Sequence, residues 1–228
     1  MNDGLKPTKI SDLLVPISRS TPVDQLVEYS LLGIRLDGGG AFLREKKLGS
    51  QIAATTLFQV RAGDFIYSRL FAWRGAFDIV SEDLDRCFVS SEFPTFVPIN
   101  SKIDIKFLRY WFRLPPIIAQ IEADCTGSTP LTRNRFKEKF FLALEIPLPP
   151  LEEQQRIVAR IEELADRIEE ARGLRKQIRE DCNLLCRSIL SDTSDGAPTL
   201  TPMRELVKLK ESDIIVSPEE LYWFAGIY

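Results

Sequence analysis

Arginine, lysine and tryptophan side chains are the groups in this sequence whose types and spacing best fit a chemical task. Arg69 and Arg74 follow a strand-like apolar segment and flank Trp73, with Ser68 directly before them. Arginine is the side chain that best reads guanine edges and it also clamps phosphates, while an aromatic ring can stack on bases or wedge between them. The alternative interpretation is that Trp73 belongs to the core and that Arg69 pairs with a carboxylate.

Two further basic stretches are candidates for the same kind of contact. The segment AFLREKKL brings Arg44, Lys46 and Lys47 together. Further along, Thr132 is placed to cap a short helix, and the N-terminus of a helix with basic residues suits a phosphate. The basic residues of that predicted helix are Arg133, Arg135, Lys137 and Lys139. A solvated basic face is the competing interpretation of this second stretch.

The residues required for most kinds of catalysis are absent or poorly spaced. The sequence contains no histidine, which removes histidine acid–base chemistry, histidine triads and most zinc catalysis. The Asn/Asp-Pro-Pro-aromatic tetrapeptide of adenine methyltransferases is missing, because Leu148 stands where the polar residue is needed. A nuclease-like D…ExK pattern can be read from Asp37 and the Glu45 to Lys47 segment, but such spacing arises readily by chance. We expect the chain not to be an enzyme.

Composition and charge indicate a globular protein with a mildly basic first part. Of the 228 residues, 44% are apolar and 28% charged, and no apolar run approaches the ~20 residues of a membrane-spanning helix. Residues 1–150 carry 19 Lys and Arg against 17 Asp and Glu, whereas the whole chain has a net charge of −3. This distribution permits DNA binding through a local patch without requiring it. The N-terminus lacks a signal-peptide core and the four cysteines form no metal-binding pattern, so we expect a cytoplasmic location.

The dominant pattern in the sequence is a heptad repeat that follows a proline-rich connector. Pro147, Pro149 and Pro150 predict a stiff extended segment, after which residues 151–190 predict one helix of roughly 60 Å. Its apolar seam steps regularly by four and three residues, which is typical of a coiled coil that needs a second helix, from this chain or from another copy. Arg175 and Gly173 weaken the seam near its middle. The predicted interface residues are Ile157, Ile161, Leu164, Ile168, Ile178, Leu185 and Ile189.

The string IPLPPLEEQQRIV followed by the long heptad helix resembles the specificity (S) subunits of type I restriction-modification enzymes. In that family the string ends a DNA target-recognition domain and begins a spacer helix. The segment GDFIYSR with LFAWRGAF is similar to a recurrent element of those recognition domains, and the Gly-Ser-rich stretch around residues 127–135 has a comparable counterpart. The resemblance therefore implies DNA-binding roles for Arg44, Lys46, Lys47, Ser68, Arg69, Trp73, Arg74, Ser128, Thr129, Arg133 and Arg135.

The same resemblance implies the partners and cofactors. An S subunit docks methyltransferase subunits on its helix and meets the restriction subunit indirectly. It performs no chemistry itself, so S-adenosylmethionine, ATP and Mg are expected on partner subunits only. A half-length S chain is further expected to form a homodimer through antiparallel seams and to read a symmetric site in double-stranded DNA.

For the first 147 residues the pattern predicts a mixed α+β recognition domain. Strand-like segments alternate with turns, and the glycine-rich segment Asp37–Gly40 is expected to be a flexible loop because it lacks the frame of a phosphate-binding loop. Residues 102–123 predict helix broken at Pro115 and Pro116, whose aromatic residues pack the domain. The fold class is thus an α+β domain (1–147), followed by a connector and long coiled-coil-forming helix (148–190).

The last segment, residues 191–228, predicts a linker and the start of a second recognition domain. Thr201–Tyr228 lies over Thr8–Arg35 without a gap, with six identities that include Tyr29 with Tyr222. We expect a truncated product, a half-subunit or a cut chain. Two alternatives to DNA reading stay open: a structural or regulatory S-like protein that pairs with other subunits, and a specificity subunit of a related defence system.

Overall fold

The computed structural model describes residues 7–125 and 135–192, with side chains as far as Ile189. The chain divides into two compact units, one ending at Glu169 and the other beginning at Glu170. The described part of the second unit consists of helix alone. The candidate residues Ser128, Thr129 and Arg133, the predicted cap Thr132 and the repeat at residues 201–228 lie outside the described residues.

Eleven strands and four α-helices make up the described elements. The strands are β1 (Pro7–Lys9), β2 (Leu14–Ile17), β3 (Ser20–Pro22), β4 (Glu28–Ile34), β5 (Ala41–Leu48), β6 (Thr56–Gln59), β7 (Phe65–Tyr67), β8 (Phe77–Ile79), β9 (Phe88–Val89), β10 (Thr95–Pro98) and β11 (Glu145–Pro147). The α-helices are α1 (Ile105–Trp111), α2 (Pro115–Asp124), α3 (Glu138–Ala143) and α4 (Leu151–Asp192). Short 3₁₀ turns occupy Ile10–Asp12, Gly49–Gln51, Ala72–Arg74 and Glu82–Leu84.

The strands form three small sheets. The largest has the order β3-β6-β9-β4-β5, and a second sheet has the order β2-β10-β7-β8. Most neighbours are antiparallel, and the long β4–β5 hairpin carries one register irregularity between Leu31 and Leu32. The third sheet pairs β1 with β11, the strand that directly precedes α4. Helices and sheets therefore share one domain, and the predicted α+β class is confirmed.

An aromatic cluster fills the main core beneath the second sheet. Its rings stack or tilt against one another, and each of the residues is at most 1% exposed: Phe65, Tyr67, Phe77 and Phe141. The hydroxyl of Tyr67 donates to the carbonyl oxygen of Phe136 at 3.2 Å. Burial raises the pKa of the Tyr67 phenol well above its ordinary value. The core thus ties the strands to the segment that leads into α3.

The helices follow the proline pattern in the sequence. Asp104 caps α1 by accepting a hydrogen bond from the amide of Lys106 at 2.8 Å. The helix break predicted at Pro115 and Pro116 lies three residues earlier, between Trp111 and Pro115, because the two prolines occupy the first positions of α2. Phe107 and Phe112 are buried in the core, so the predicted packing role of these aromatics is confirmed. Tyr110 and Trp111, the other two aromatics of the segment, pack against the same cluster from partly buried positions.

The short basic helix predicted from residue 132 onwards begins later than expected. Helix α3 starts at Glu138 and Lys137 is its N-cap, so Arg135 precedes the helix. The physical reason is that the amide of Phe136 donates to the carbonyl oxygen of Arg69 at 2.9 Å, which holds this segment extended against the strand region. The helix is only six residues long and does not carry the basic face that the sequence predicted.

Helix α4 is 42 residues long and begins at the proline connector. The carbonyl oxygen of Pro150 accepts hydrogen bonds from the amides of Glu153 and Gln154. In the first turns Val158 is buried and Ile157 packs against the core cluster. The later seam positions are exposed, for example Ile168 at 52% and Ile178 at 62%. The coiled-coil interface stays a prediction. In the described part of the chain no helix is long and apolar enough to cross a membrane.

Candidate nucleic-acid interface

The glycine-rich turn between β4 and β5 is held by hydrogen bonds rather than forming the flexible loop that the sequence predicts. Asp37 adopts a left-handed backbone conformation with φ 55°, and its amide donates to the carbonyl oxygen of Arg74 at 2.7 Å. The amide of Arg35 donates to the carbonyl oxygen of Gly40 at 2.9 Å, which closes the turn. The guanidinium of Arg113 on the far side donates to the carbonyl oxygen of Gly38 at 2.7 Å. The turn is thus anchored at several points along its length.

A partly buried ion pair lies beneath the same turn. The Asp78 carboxylate on β8 accepts from the amide of Ala41 at 2.5 Å, and its other oxygen lies 2.8 Å from Nε of Arg109. A Cβ at Gly40, where φ is 82°, would lie 2.9 Å from that carboxylate, so this position requires glycine. Burial, with the neighbouring Arg109 charge, lowers the pKa of Arg113. The hydrogen bonds that Asp78 and Arg113 form with the backbone of the turn explain why a segment of such flexible residues has a defined conformation.

Arg74 pairs with Asp37 on the surface of this turn. Its Nε donates to Oδ1 of Asp37 at 3.2 Å and its Nη2 donates to Oδ2 at 2.9 Å. The hydrogen bond with Asp37 raises the pKa of Arg74. The neighbouring Trp73 is half-buried, and its indole Nε1 donates to the carbonyl oxygen of Leu70 at 3.0 Å. Arg74, Asp37 and Trp73 line an open cleft of about 570 Å³, with α2 on its other side.

Arg69 has different surroundings, because its side chain braces three segments of the domain. Its Nη1 donates to the carbonyl oxygen of Ser91 at 2.6 Å, and its Nη2 makes a short ion pair with Glu138. Its own amide donates to the carbonyl oxygen of Glu92, and its carbonyl accepts from Phe136. This arrangement matches the alternative interpretation in which Arg69 pairs with a carboxylate.

Ser68, the residue before Arg69, is only 2% exposed. Its amide donates to the carbonyl oxygen of Ala76 at 3.0 Å, and its own carbonyl accepts from the amide of Phe71 at 3.1 Å. These contacts fix the turn after β7. Of the four residues in the first candidate stretch, Trp73 and Arg74 are therefore the two whose side chains line the open cleft.

Arg135 pairs with Glu92 on the side of the domain where Arg69 lies. Its Nη2 and Nε lie 2.8 Å and 3.2 Å from the two carboxylate oxygens of Glu92. Arg69, Arg135, Lys137 and Glu92 line the same shallow depression. The structure therefore brings Arg69 of the first candidate stretch together with Arg135 and Lys137 of the stretch that begins at Thr132.

The three cations of β5 lie along an exposed strand. Arg44 and Lys47 both contact the Glu45 carboxylate, at 2.7 Å and 3.0 Å. The hydrogen bond from Lys47, followed by that from Arg44, lowers the pKa of Glu45. Lys46 is exposed and forms no ion pair with a described residue, so it is the cation of this stretch that is most available to an external phosphate.

Gln154 is an important residue whose role sequence reasoning did not identify. Its side chain is fully buried and makes three hydrogen bonds of 2.8 Å each. Its Oε1 accepts from the amide of Asp104, and its Nε2 donates to the carbonyl oxygens of Lys102 and Pro149. Gln154 therefore joins the start of α4 to the start of α1 and to the connector. The sequence signal that could have identified this role is a glutamine at a core-facing position in the first turn of α4, where its neighbours are charged.

The nuclease-like pattern is not assembled into a metal site in the described residues. Asp37 is engaged with Arg74, and Glu45 is engaged with Arg44 and Lys47. Within residues 7–125 and 135–192, no group of three or more acidic, histidine or cysteine side chains is placed to hold a metal ion. The expectation that the chain is not an enzyme stays a prediction.

Comparison with known proteins places this fold in one class. Residues 46–180 match the family described as the type I restriction modification DNA specificity domain, and the chain belongs to that family. The resemblance found in the proline connector and helix is thereby confirmed. No curated protein sequence matches the chain.

Two solved structures are similar to the fold of this chain. The HsdS subunit from Thermoanaerobacter tengcongensis is 22% identical, with a TM-score of 0.63 over 89% of this chain and 52% of that chain. A chain from a structure described as the basis of complex assembly and conformational transition of the type I R-M system is also 22% identical, with a TM-score of 0.60 over 89% and 53%. At this identity the likeness shows the fold, and this chain spans about half the length of each relative.

Proposed function

We propose that this chain is the DNA-reading specificity component of a type I restriction-modification system. In this proposal the domain up to residue 147 reads one half of a bipartite site in double-stranded DNA. Helix α4 sets the distance to the second half and docks methyltransferase subunits, and the restriction subunit joins indirectly. The chain itself performs no catalysis and acts in the cytoplasm, while S-adenosylmethionine, ATP and Mg belong to the partner subunits.

The observation that carries this proposal is the position of the family match. The match to a DNA specificity domain covers residues 46–180, which include most of the α+β domain and most of α4. The second similar structure comes from work described as concerning complex assembly of a type I system, which supports the proposal that the helix of this chain has partner subunits. Because residues 1–150 have a net charge of only +2, DNA binding must rely on local groups such as Arg74 and Lys46.

The exposed seam of α4 supports the second part of the proposal. Apolar seam residues that are 42–62% exposed, such as Leu164, Ile168 and Ile178, are the surface expected of a helix that packs against another helix. A second copy of the chain in antiparallel orientation would supply such a helix and would place two reading domains at the ends of the pair. A symmetric DNA site would then be read by a symmetric protein.

The test is to express the full chain together with its methyltransferase subunit and to sequence the DNA sites that become methylated. The proposal expects a bipartite or palindromic adenine motif. Arg74→Ala should abolish or relax this motif. Arg61→Ala is the matched control, because Arg61 has nearly the same exposure as Arg74, is also paired with an aspartate and is not among the predicted DNA contacts. Arg69 is a poor test residue, since its removal disturbs the packing of the domain.

A structural or regulatory role is the second candidate function, and one specific observation favours it. Arg69, Arg74 and Arg135 are each paired with a carboxylate of the domain, which weakens the attraction of these groups for phosphates. Under this alternative the chain assembles with the other subunits through α4 but does not select DNA. A stable complex that methylates no motif would support this alternative and refute the DNA-reading proposal.

A further inference from the structure

The ion pair between Arg74 and Asp37 occupies only one edge of the guanidinium group. A guanidinium has five N–H donors in a planar fork. Asp37 accepts from Nε and from Nη2, which is the side edge of that fork. The remaining donors are both hydrogens of Nη1 and the outer hydrogen of Nη2. The end edge, formed by Nη1 and Nη2, therefore keeps two parallel donors for another acceptor.

The carboxylate that orients Arg74 is itself fixed by the fold. Asp37 sits on the turn that Arg113, Asp78 and the backbone of Arg74 hold in place. Its left-handed backbone conformation is one that aspartate tolerates but that most residues avoid. Its side chain is 71% exposed, so the pair lies at the surface rather than in the core. An aspartate on an anchored turn presents its carboxylate at a fixed place on the surface, beside Arg74.

We propose that Asp37 is a positioning residue for DNA reading, which holds the free edge of Arg74 for a guanine in the major groove. This inference rests on the proposed function and goes beyond it, because it names a base and a residue that orients the reader. Two parallel N–H donors match the O6 and N7 acceptors of guanine, which is the commonest specific contact between a side chain and a base.

A phosphate contact is the competing role for Arg74, and the electrostatics of the pair disfavour it. Arg74 and Asp37 together carry no net charge, so the pair adds little to the attraction for the DNA backbone. An exposed carboxylate beside the guanidinium also repels a phosphate. A base edge is neutral and presents its acceptors in a plane. The ion pair with aspartate therefore does not weaken the hydrogen bonds that the arginine can donate to a base. The pair therefore contributes selectivity rather than general affinity.

The test uses the full chain in complex with its methyltransferase subunit and a library of randomised duplex DNA, from which bound molecules are sequenced. Three variants are compared with the wild-type protein: Arg74→Ala, Asp37→Asn and Asp85→Asn. Asparagine tolerates the left-handed conformation of Asp37 but has one acceptor oxygen and no charge, so it cannot form the two parallel bonds that the carboxylate makes with Nε and Nη2. Asp85 is the matched control, since it pairs with the surface arginines Arg61 and Arg86. Thermal unfolding of each variant checks that the domain is intact.

The inference expects a preference for guanine at one position of the wild-type site that Arg74→Ala reduces by roughly tenfold or more. Asp37→Asn should reduce the preference at the same position and leave the other positions unchanged, whereas Asp85→Asn should leave the whole motif unchanged. The slope of affinity against salt concentration should stay that of the wild-type protein in Arg74→Ala, because a lost phosphate contact would lower it by about one.

Three results separate the failure of this inference from the failure of the proposed function. If the wild-type complex selects no sequence, the DNA-reading function is refuted and the inference falls with it. If the wild-type complex selects a motif that Asp37→Asn leaves unaltered, only the positioning role is refuted. If Arg74→Ala weakens binding to all sequences equally and lowers the salt slope, Arg74 is a phosphate contact and the guanine assignment is wrong.

Discussion

Replacing Gln154 by leucine should destabilise the domain far more than the same change one residue later. Leucine has nearly the volume of glutamine but offers no hydrogen-bonding group. The variant Gln154→Leu therefore leaves the amide of Asp104 and the carbonyl oxygens of Lys102 and Pro149 without their present partner. Gln155 is exposed, so Gln155→Leu is a chemically identical control at a position without this role.

The magnitude follows from the burial of the three groups. The contact with Pro149 is buried, and an unsatisfied buried carbonyl costs about 1–3 kcal/mol. The contacts with Asp104 and Lys102 are partly buried, and each is worth about 0.5–1.5 kcal/mol because water can replace part of the loss. The three losses together are about 2–6 kcal/mol, and the two methyl groups that leucine buries in place of the amide offset about 1.5 kcal/mol, so the free energy of unfolding should fall by about 1–4 kcal/mol. For a domain of this size that corresponds to a lowering of Tm of roughly 2–16 °C.

The assay is urea or thermal unfolding of the full chain, with tryptophan fluorescence and circular dichroism as the signals that report unfolding. Gln155→Leu should change the free energy of unfolding by no more than about 0.5 kcal/mol. If Gln154→Leu and Gln155→Leu unfold at the same midpoint, the reasoning that Gln154 joins α4 to the domain is refuted.

A charged variant at the same position adds a dependence on pH. In Gln154→Glu the carboxylate would face two carbonyl oxygens in a buried place, so its pKa in the folded state should lie above that in the unfolded state. A raised pKa in the folded state contributes stability at low pH that is lost as the pH rises through that pKa. Relative to the wild-type protein, Gln154→Glu should therefore be less destabilised at about pH 4 than at about pH 7.

Three further results are expected. Gly40→Ala should lower the free energy of unfolding, measured with urea, by about 1–2 kcal/mol more than Gly63→Ala does. Both glycines have positive φ, but only a Cβ at Gly40 meets the fixed carboxylate of Asp78. Equal losses would contradict the account of the turn. Burial raises the pKa of Cys125 to about 11. Its alkylation rate, measured by mass spectrometry, should therefore still increase by nearly tenfold between about pH 9 and pH 10, and a rate that levels off by about pH 10, as for an ordinary thiol, would contradict this. Ile168→Asp should shift the sedimentation of the chain to that of a monomer if α4 pairs with another copy, whereas unchanged sedimentation would refute that pairing.

The sequence predicted those parts of the molecule that depend on local pattern. The start of α4 after the proline connector and the packing role of Phe107 and Phe112 follow from backbone chemistry and spacing, and the structure agrees with both. The helix break predicted at Pro115 and Pro116 lies just before them, because the two prolines open α2. The family match confirms the resemblance seen in the connector. Periodicity also indicated an apolar seam on α4, but the partner of a seam is not encoded in its spacing.

Contacts between residues that lie far apart in the sequence could not be predicted from local pattern. Arg69 lies 69 positions from Glu138, and nothing in the local sequence shows that these two side chains meet. The order of the glycine-rich turn has the same origin, because Asp78 and Arg113 reach it from other elements. Helix α3 begins only at Glu138, because the amide of Phe136 donates to the carbonyl oxygen of Arg69 and holds the residues just before the helix extended. At these places tertiary contacts, rather than local sequence pattern, determine the observed structure.

The small sheet of β1 and β11 has a consequence for how this domain is used as a unit. Pro7, Thr8 and Lys9 pair with Pro147, Ile146 and Glu145, and the amide of Ile10 donates to the carbonyl oxygen of Leu144 at 2.9 Å. The chain therefore enters and leaves the domain at adjacent points, and the exit leads directly into α4. A domain whose two ends lie side by side can be replaced by another of different loops and strands without moving the helix that follows. Under the proposed function, exchange of whole domains between chains, rather than stepwise change of their surfaces, would be the route to new specificity that this joint favours.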